Sequence, residues 1–563
     1  MIKNLFMLKK HFLCLIAIFV LACSEGQVHS RETFFQHIVD SLERIQPTNL
    51  ERVKPRGHAF IIDVKSQKDF DNINANIDKA ISVGERNIQV KIRKGVYQFF
   101  ENHINRSNEK LPNISISIIG YDAVLTSDNN YPVSYGLGDG WQDMLYADSI
   151  IKVVNANQNI CLLPFSNQMT DEEKSNITMI QVTQWFRAPI YTVTKINREG
   201  IYFIEPELNW ETEYGHKGYN VNFDYLYLGK IPRFKLYNTS KEHHCTASRF
   251  LNIEYSRYRC FSITGVVFKG NRNGNPLISL TDVEAKQISI SYCRFNSIRD
   301  NVINASGTGN VVFDHNSVTN TIGNEIRFVK DCPNVRITDN LFENCGQSIG
   351  NTFCVTCWES KYYIARNTFR DFGYGAIGVG VWYGFEKKNY SGGIIEHNEI
   401  YFTPDYFTNA WKHMLMDSGA IYTWTQNDDV IVRYNYIHDY TGPGDNRGIF
   451  CDDGANNLKI YGNVVMNTPN CYSIDSRMSE DQKEGFRNNE NNFMAQNIVD
   501  NRVRFQGHAN IQRHVLKGGN YVIRKSGDTP LENKYENLEH IEEDIVLYYS
   551  DKKIRKHIKK CVR

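Results

Sequence analysis

The chain lacks an excess of charge of either sign, because it contains 64 Lys and Arg residues and 63 Asp and Glu residues. Nucleic-acid-binding proteins concentrate basic charge on one surface, so this balance argues against a nucleic-acid partner. We interpret the basic run KKIRKHIKK near the C-terminus as a solvated tail. The length of 563 residues exceeds one ordinary compact domain and indicates several units or one elongated repeat.

Long apolar runs are also lacking, since nothing past residue 30 has the length of a membrane span. Before that point, Lys3, Lys9 and Lys10 precede FLCLIAIFVLAC, which has the charge pattern of a signal peptide and is too short to span a bilayer. The closing VLAC resembles the lipobox of bacterial lipoproteins, which implies lipidation at Cys23. We therefore expect an exported lipoprotein, in the outer membrane or periplasm, that is tethered to the membrane by its N-terminal lipid.

The 13 cysteines lack the spacing of a disulfide framework. Cys354 and Cys357 form a CxxC pair, but neither a second such pair nor a histidine pair lies nearby to complete a zinc site. We interpret most cysteines as buried small apolar residues. The alternative that one or two pairs form disulfides stays open. The sequence predicts no metal and no cofactor.

The chain does contain a repeated asparagine motif. Seven segments share an asparagine with an apolar residue within the next two positions and then a polar turn, at intervals of 24, 27, 31, 37, 28 and 34 residues. These asparagines are Asn316, Asn340, Asn367, Asn398, Asn435, Asn463 and Asn497. The short intervals suit one coil of a solenoid built from about three short strands. We expect the asparagines to hydrogen-bond from coil to coil, in a structural role.

A second series alternates with the first and ends on isoleucines. Its members are Ile303, Ile326, Ile349, Ile377, Ile421, Ile449 and Ile474. Each short strand has apolar residues at every second position and can bury that face only by stacking on its neighbours. The two series together predict an all-β fold, a right-handed parallel β-helix.

The beginning of the solenoid and an interruption are also predicted. Ser66 and Asp69 have the spacing of a capping box, and a helical apolar stripe at Phe70, Ile73, Ile77, Ala80 and Ile81 predicts a helix that covers the first coil. The repeat is absent between residues 131 and 245, where ITMIQVTQW, IYTVTKI and GIYFIEP predict an inserted antiparallel β unit.

These observations divide the chain into six parts. They are a signal peptide at 1–23, a linker at 24–57, the cap and first coils at 58–130, the inserted β-rich domain at 131–245, the main β-helix at 246–515 and a C-terminal tail at 516–563. The sequence favours a monomer.

The isoleucine series also predicts what the late coils present to solvent. If each isoleucine points inward, the residues one and three positions later point outward. In the last three coils these positions hold Tyr422, Trp424, Phe450, Asp452, Asp475 and Arg477. The longest insertions add Trp382, Tyr383, Trp411 and His413 nearby. The alternative interpretation is that these aromatic rings only cover the apolar core of the loops.

Aromatic rings beside carboxylates suit a carbohydrate ligand, because sugar C–H faces stack on rings and hydroxyl groups bond to charged side chains. Asp417 directly precedes its strand, one coil before Asp452. Neighbouring coils place the two carboxylates within roughly 5–9 Å, the range in which paired acids cleave glycosidic bonds. His438 is either a structural turn residue or a proton shuttle.

The segments DSGAIYTW at 417–424 and GIFCDDGANN at 448–457 resemble the paired motifs of bacterial right-handed β-helix glycoside hydrolases, the family that contains α-L-fucosidases and xylanases. The resemblance covers roughly residues 58–515. It implies that Asp417 and Asp452 are the catalytic pair. Relatives often have Asp-Glu where this chain has Asp452 and Asp453, so Asp453 stays an alternative.

A glycoside hydrolase acting on polysaccharide or oligosaccharide fragments is the leading interpretation. The expected substrate-binding residues are Tyr422, Trp424, Trp382, Tyr383, His413, His438, Arg447, Asp475 and Arg477. A polysaccharide lyase on the same fold is the second interpretation, since Arg447 and Arg477 supply a possible base. A non-catalytic glycan-binding or adhesive solenoid is the third.

Overall fold

The structure, a computed structural model, describes most of the solenoid and part of the inserted unit. The described residues are 28–48, 50, 53–99, 101–127, 141–143, 152–155, 160–163, 170–183, 190–204, 233–238, 248–271, 276–298, 301–321, 325–346, 352–380, 392–404, 418–424, 430–441, 446–452, 457–476, 492–499, 502–507, 515–518, 521–522 and 551–562.

Three long parallel sheets wind around one apolar core and form a right-handed β-helix, as the repeat predicted. The 13-stranded sheet contains Phe60–Val64, Asn87–Ile92, Lys110–Gly120, Arg257–Thr264, Glu284–Ser291, Val311–Asp314, Cys332–Thr338, Ser360–Ala365, Gly392–Glu396, Val430–Arg433, Lys459–Tyr461, Asn492–Ala495 and Val515–Gly518. The 12-stranded sheet contains Gly95–Gln98, Ala123–Thr126, Val267–Asn271, Arg294–Ile298, Ser317–Thr319, Leu341–Cys345, Thr368–Phe372, Glu399–Tyr401, Tyr436–His438, Val464–Met466, Ile498–Val499 and Tyr521–Val522.

The third parallel sheet carries the residues of functional interest. This 11-stranded sheet contains Glu101–Ser107, Ser248–Glu254, Ile278–Thr281, Ile303–Ser306, Ile326–Val329, Phe353–Trp358, Gly375–Gly380, Gly419–Trp424, Arg447–Asp452, Asn470–Ser476 and Arg502–Gly507. Each coil contributes one strand to each sheet, so a residue's sheet decides which side of the solenoid it occupies.

The inserted unit is antiparallel, as expected. Its seven described strands follow the order Trp141–Asp143, Arg233–Asn238, Ile177–Thr183, Ile190–Asn197, Gly200–Ile204, Ile160–Leu163 and Lys152–Asn155, and a short helix lies at Asp171–Asn176. The parallel ladder resumes at Ser248, whose strand pairs with Glu101–Ser107. The insertion therefore separates two strands that are neighbours in the same sheet.

The predicted asparagine ladder is confirmed across all seven asparagines. The backbone N–H and the side-chain Nδ2 of Asn340 both donate to Oδ1 of Asn367, at 3.0 and 2.9 Å. The same pair of bonds joins Asn367 to Asn398, at 3.0 Å each. The other neighbours repeat this pattern from Asn316 up to Asn497. The ladder satisfies buried backbone donors at the turn between the 13-stranded and 12-stranded sheets.

The predicted helical cap is confirmed, with one difference. Ser66 and Asp69 form a capping box at the start of the helix Gln67–Asp71, and Phe70 is fully buried. The helix breaks at Asn72, and a second helix, Ile73–Ser82, buries Ile73 and Ile77. Two short helices rather than one therefore cover the apolar end of the first coil.

The isoleucine register is confirmed for five of its seven members and wrong for two. Ile303, Ile326, Ile377, Ile421 and Ile449 lie in one inward row of the 11-stranded sheet. Val355 takes the place predicted for Ile349, which lies outside the described residues. Tyr472 takes the place predicted for Ile474. The intervening connections vary in length, so counting residues along the chain misplaced these two strands.

The segment interpreted as a linker at 24–57 is instead a packed element. It contains the helix Val28–Glu43, which buries Phe35, Ile38 and Val39 against the outer face of the 13-stranded sheet. The chain then runs back along that face, with hydrogen bonds from Arg336 to the Thr48 carbonyl and from the Val53 N–H to Gln287. We call residues 28–57 the N-terminal strap.

The C-terminal tail also contains a packed element, although the described cations of its basic run are exposed, as expected for a solvated run. The helix Asp551–Cys561 buries Cys561 beside Tyr434 and Tyr461, in the same apolar cluster as the N-terminal strap. Lys560 lies 3.9 Å above the Tyr434 ring and 3.7 Å from Glu43. Both ends of the described chain therefore meet on one face of the solenoid.

Two further observations concern cysteines and the membrane. The described side chains include nine free cysteines, all buried, as expected for most of them. They are Cys260, Cys293, Cys332, Cys345, Cys354, Cys357, Cys451, Cys471 and Cys561. Within the described part of the chain, no helix has both the length and the apolar character to cross a membrane.

Candidate active site

The candidate site lies on the outer face of the 11-stranded sheet, in its later coils. The inward row at Ile421 and Ile449 makes the residues one and three positions later point outward. This places Tyr422 beside Phe450, and Trp424 beside Asp452, as paired positions of adjacent strands. These four side chains therefore point away from the solenoid core as predicted, but Phe450 is fully buried in a second cluster and is not presented to solvent.

A glycine-rich strand lets aromatic rings from separate coils meet. Gly375, Gly378 and Gly380 belong to the strand between Phe353–Trp358 and Gly419–Trp424. A Cβ atom on Gly378 would lie 2.7 Å from the Phe353 ring. Coils two apart are separated by about 9.6 Å, so side chains on this middle strand would keep the rings apart.

The result is an aromatic cluster that is separate from the solenoid core. Phe353, Tyr374, Tyr422 and Phe450 are buried in it, and Trp358 and Trp424 are partly exposed at its edge. The rings of Trp358 and Trp424 meet with centroids 6.1 Å apart, and Tyr422 packs edge-on against Phe450 at 5.0 Å. The cluster therefore presents two tryptophan surfaces above a rigid aromatic base.

Asp452 is the carboxylate of this cluster. It ends the strand Arg447–Asp452 and is 4% exposed. The Tyr422 hydroxyl donates a hydrogen bond to its Oδ2. The sequence predicted an exposed position for Asp452, and the structure corrects this, because the surrounding groups bury its side chain. A buried carboxylate that accepts a tyrosine hydroxyl has a fixed orientation.

Tyr422 also differs from its predicted role. It was expected to stack on a sugar, but it is only 6% exposed and its ring is enclosed by Phe353 and Phe450. Trp424 retains the exposure that stacking needs. Tyr422 therefore orients the carboxylate, and Trp424 is the accessible ring.

Arg447 lies on the same strand and outer face as Asp452. It is 3% exposed, and its guanidinium carbon lies 4.0 Å from the centroid of the Phe450 ring. Next to it, the Tyr440 hydroxyl donates to the Tyr374 carbonyl at 2.7 Å and to Ser418 Oγ at 3.1 Å. Ser418 donates to Asn446 at 3.3 Å. This buried polar network holds the residue that directly follows Asp417 in the chain.

Asp475 is brought next to Asp452 by the backbone register. Cys451 pairs with Ile474, and Asp452 and Asp475 are the residues that follow in the two strands. The sequence placed Asp475 beside Phe450, but Ser473 occupies that position. The shift has the same origin as the misplaced Ile474.

His438 is not part of this site. Its strand, Tyr436–His438, belongs to the 12-stranded sheet and therefore to another side of the solenoid. There its ring stacks between Tyr401 and Tyr436 and bonds to Asp439 at 2.8 Å. The stacking and hydrogen bonding of His438 on that face fit a structural turn residue better than a proton shuttle.

Several predicted residues lie outside the described part of the chain. They are Cys23, Trp382, Tyr383, Trp411, His413, Asp417, Asp453 and Arg477. The structure adds Phe353, Trp358 and Tyr374, which the sequence reasoning missed. The alternation in FCVTCW would have placed Trp358 outward, had Val355 been aligned with Ile377.

The thiols near the site are unsuited to nucleophilic chemistry. Burial raises the pKa of Cys451 to about 12, and the charge of Asp452 acts in the same direction. Burial likewise holds the pKa of Cys354 and Cys357 well above the usual range. Among the described residues, no group of three or more His, Cys, Asp or Glu side chains is arranged to hold a metal ion.

Comparisons with known proteins find similarity in structure only. No known family matches the chain, and no curated protein matches it in sequence. A solved glycoside hydrolase is similar at 11% identity over 80% of this chain and 94% of its own, with a TM-score of 0.39. XylC in complex with xylose is similar at 11% identity over 85% and 86% of the two chains, with a TM-score of 0.35. A hyperthermoactive exopolygalacturonase from Thermotoga maritima is similar at 9% identity over 85% and 95%, with a TM-score of 0.31.

Proposed function

We propose that the protein is a glycoside hydrolase that binds a polysaccharide or oligosaccharide along the outer face of the 11-stranded sheet. The observation that carries the proposal is Asp452, a buried carboxylate oriented by Tyr422 and paired in register with the partly exposed Trp424. A sugar ring stacked on Trp424 would bring its glycosidic bond within reach of this carboxylate, and Trp358 would hold a ring further along the chain of sugars. We also propose that the chain is related to the glycoside hydrolase family that contains α-L-fucosidases and xylanases, whose paired motifs it resembles.

Most glycoside hydrolases use two carboxyl groups. One protonates the leaving oxygen, and the other acts as a nucleophile or activates water, at separations of about 5–9.5 Å. Asp452 supplies one of them. Asp417, the residue before the buried Ser418, is the proposed second acid, and Asp453 is its alternative. Asp475 is a further candidate because its backbone lies one strand from Asp452, about 4.8 Å away.

The test is digestion of a panel of plant and host glycan fragments, following new reducing ends and ultraviolet-absorbing unsaturated ends together. Asp452→Asn and Asp417→Asn are compared with the parent protein, and Asp453→Asn and Asp475→Asn identify the second acid. We expect the parent protein to produce reducing ends without unsaturated ends. The rate should fall about 1,000-fold or more in Asp452→Asn and in one other variant, because general acid–base and nucleophilic roles each contribute factors of this order.

Asp122→Asn is the matched control, because Asp122 is exposed at a turn of an early coil, away from the aromatic cluster. It should hydrolyse at the parent rate. Circular dichroism and melting curves show whether each variant is folded. Full activity in a folded Asp452→Asn variant would overturn the proposal.

A polysaccharide lyase is the second candidate, and Arg447 is the observation that favours it. Its buried guanidinium shares a strand and an outer face with Asp452, where it would face the carboxylate of an acidic sugar. Unsaturated ends that disappear in Arg447→Met and persist in Asp417→Asn would establish this reaction in place of hydrolysis. Glycan binding without turnover of any fragment would support a binding solenoid.

We also propose that the protein is exported and lipidated at Cys23, from the charge and apolar pattern of residues 3–23. Labelling of cells with a radioactive fatty acid tests this proposal. Label should enter the parent protein and should be absent from Cys23→Ser. Equal labelling of both proteins would contradict lipidation at this residue.

A further inference from the structure

The helix Asp551–Cys561 separates its apolar and basic residues. Ile558 and Cys561 pack into the cluster at the turns between the 13-stranded and 12-stranded sheets, beside Tyr434 and Val464. Arg555, Lys556 and Lys559 are exposed, and their spacing of three and four residues puts them on one side of the helix. Lys560 is engaged with Tyr434 and Glu43. Among its described side chains, the docked helix therefore presents three exposed cations besides Lys560, in a chain whose overall net charge is +1.

This basic surface lies beside the part of the chain that follows the N-terminal apolar segment. The C-terminal end of the helix Val28–Glu43 contacts the basic helix directly, through Glu43 and Lys560. Residues 23–28 span at most roughly 18 Å, and the helix Val28–Glu43 adds about 23 Å. A membrane attached at the end of the apolar segment therefore lies within about 40 Å of the basic surface.

We propose that Arg555, Lys556 and Lys559 form a docking surface for the anionic headgroups of a phospholipid bilayer. Clustered basic residues beside a membrane attachment point bind anionic lipid by charge attraction, and this contact would be electrostatic because Ile558 and Cys561 are packed against the protein. This docking would turn the edge between the 13-stranded and 12-stranded sheets toward the bilayer. The aromatic cluster with Asp452 is on the 11-stranded sheet, so the proposed catalytic face stays open to a glycan.

The inference uses the proposed membrane attachment, and the experiment separates the two. Residues 24–563, without a lipid, are mixed with vesicles of phosphatidylcholine containing about 30% phosphatidylglycerol, or with pure phosphatidylcholine vesicles, since anionic lipid gives the surface a negative potential. Flotation at low and high salt measures binding. We expect binding only to the anionic vesicles, weakened by salt because the attraction is screened.

The triple variant Arg555→Gln, Lys556→Gln, Lys559→Gln should partition about tenfold or more weakly, because each basic residue near an anionic surface contributes about a fivefold change. The matched control is Lys68→Gln, Lys79→Gln, Lys94→Gln. It removes three exposed lysines at the capped end of the solenoid and should bind as the parent does. Melting curves check that both variants are folded.

Three results would overturn the proposal. They are no binding of the parent protein to anionic vesicles, equal loss of binding in the two triple variants, and binding of soluble polygalacturonate or duplex DNA without binding of vesicles. The protein in this assay carries no lipid at Cys23. A failure of vesicle binding would therefore contradict only the docking surface, and a failure of Cys23 labelling would contradict only the lipidation.

Discussion

At the scale of single residues, the site depends on how Asp452 is held. Tyr422 is enclosed by Phe353 and Phe450, so its hydroxyl has a fixed position, and it donates to the carboxylate. Phe353 takes its own position because Gly375 and Gly378 leave the space above their strand free. The orientation of one carboxylate therefore depends on residues from four coils.

Removing only the Tyr422 hydroxyl tests this dependence. Tyr422→Phe keeps the ring packing and deletes the hydrogen bond, so we expect kcat/KM to fall about 10- to 100-fold, the size of a hydrogen bond to a charged group. The melting temperature should fall by a few degrees while the fold is kept, because the ring stays in place but the buried carboxylate loses one hydrogen bond.

Tyr401→Phe is the control for this variant, because Tyr401 lies on the 12-stranded sheet, away from Asp452. Hydrolysis rates on the substrate found in the glycan panel provide the measurement. A Tyr422→Phe protein with the kinetics of the parent would show that the tyrosine does not position the carboxylate.

At the scale of structural elements, the asparagine ladder defines each coil's turn. The residue before each ladder position has positive φ, as at His315, Asp339, Arg366 and His397. Residues other than glycine rarely adopt this conformation, and the ladder bonds on the following residue hold it in place. The repeat visible in the sequence is thus a repeat of one strained turn and its compensating hydrogen bonds.

A substitution inside the ladder should be costly. Oδ1 of Asn398 accepts two bonds from Asn367, and its Nδ2 donates to the Ile364 carbonyl and to Asn435. Asn398→Ala leaves these buried groups without their partner, at about 1–3 kcal/mol for each unsatisfied group. We expect the free energy of unfolding to fall by about 3–5 kcal/mol, measured by urea denaturation.

Asn102→Ala provides the comparison, because Asn102 is exposed on the strand Glu101–Ser107, in an early coil that precedes the ladder. Its effect should stay within about 0.5 kcal/mol. If the two variants were equally stable, the ladder would have no part in holding the coils together.

At the scale of the whole molecule, the N-terminal strap connects the two ends of the solenoid. Its helix packs near Phe493, and its later residues reach Asn87, whose side chain donates to the Gly57 carbonyl. Arg433 joins the strap to the sheet through a buried ion pair with Glu396 and a bond to the Leu42 carbonyl at 3.1 Å. The strap therefore covers the outer face of the 13-stranded sheet over most of its length.

Arg433→Ala should detach the strap. The change leaves the Glu396 carboxylate buried without this cation, which costs about 3–5 kcal/mol, and frees the end of the helix Val28–Glu43. We expect lower stability and new protease cleavage between residues 44 and 57, detected by limited proteolysis and mass spectrometry.

The control is Arg93→Ala, which breaks a 2.5 Å ion pair with Asp63 whose side chains are 45% and 28% exposed. Exposed ion pairs contribute little to stability because solvent screens them, so this variant should resist protease as the parent does. Cleavage of the strap in both variants alike would show that Arg433 does not hold it.

The sequence by itself determined the coil, the ladder, the cap and the shared row of Trp424 and Asp452. These features arise from contacts between neighbouring coils, which repeat at short intervals and leave a periodic pattern. Only the tertiary structure decided that Asp452 and Tyr422 are buried, that Trp358 joins Trp424, and that both terminal segments pack into one apolar cluster on the outside of the solenoid. Those contacts join residues from separate coils or from opposite ends of the chain, across connections of irregular length. They therefore leave no periodic pattern in the sequence.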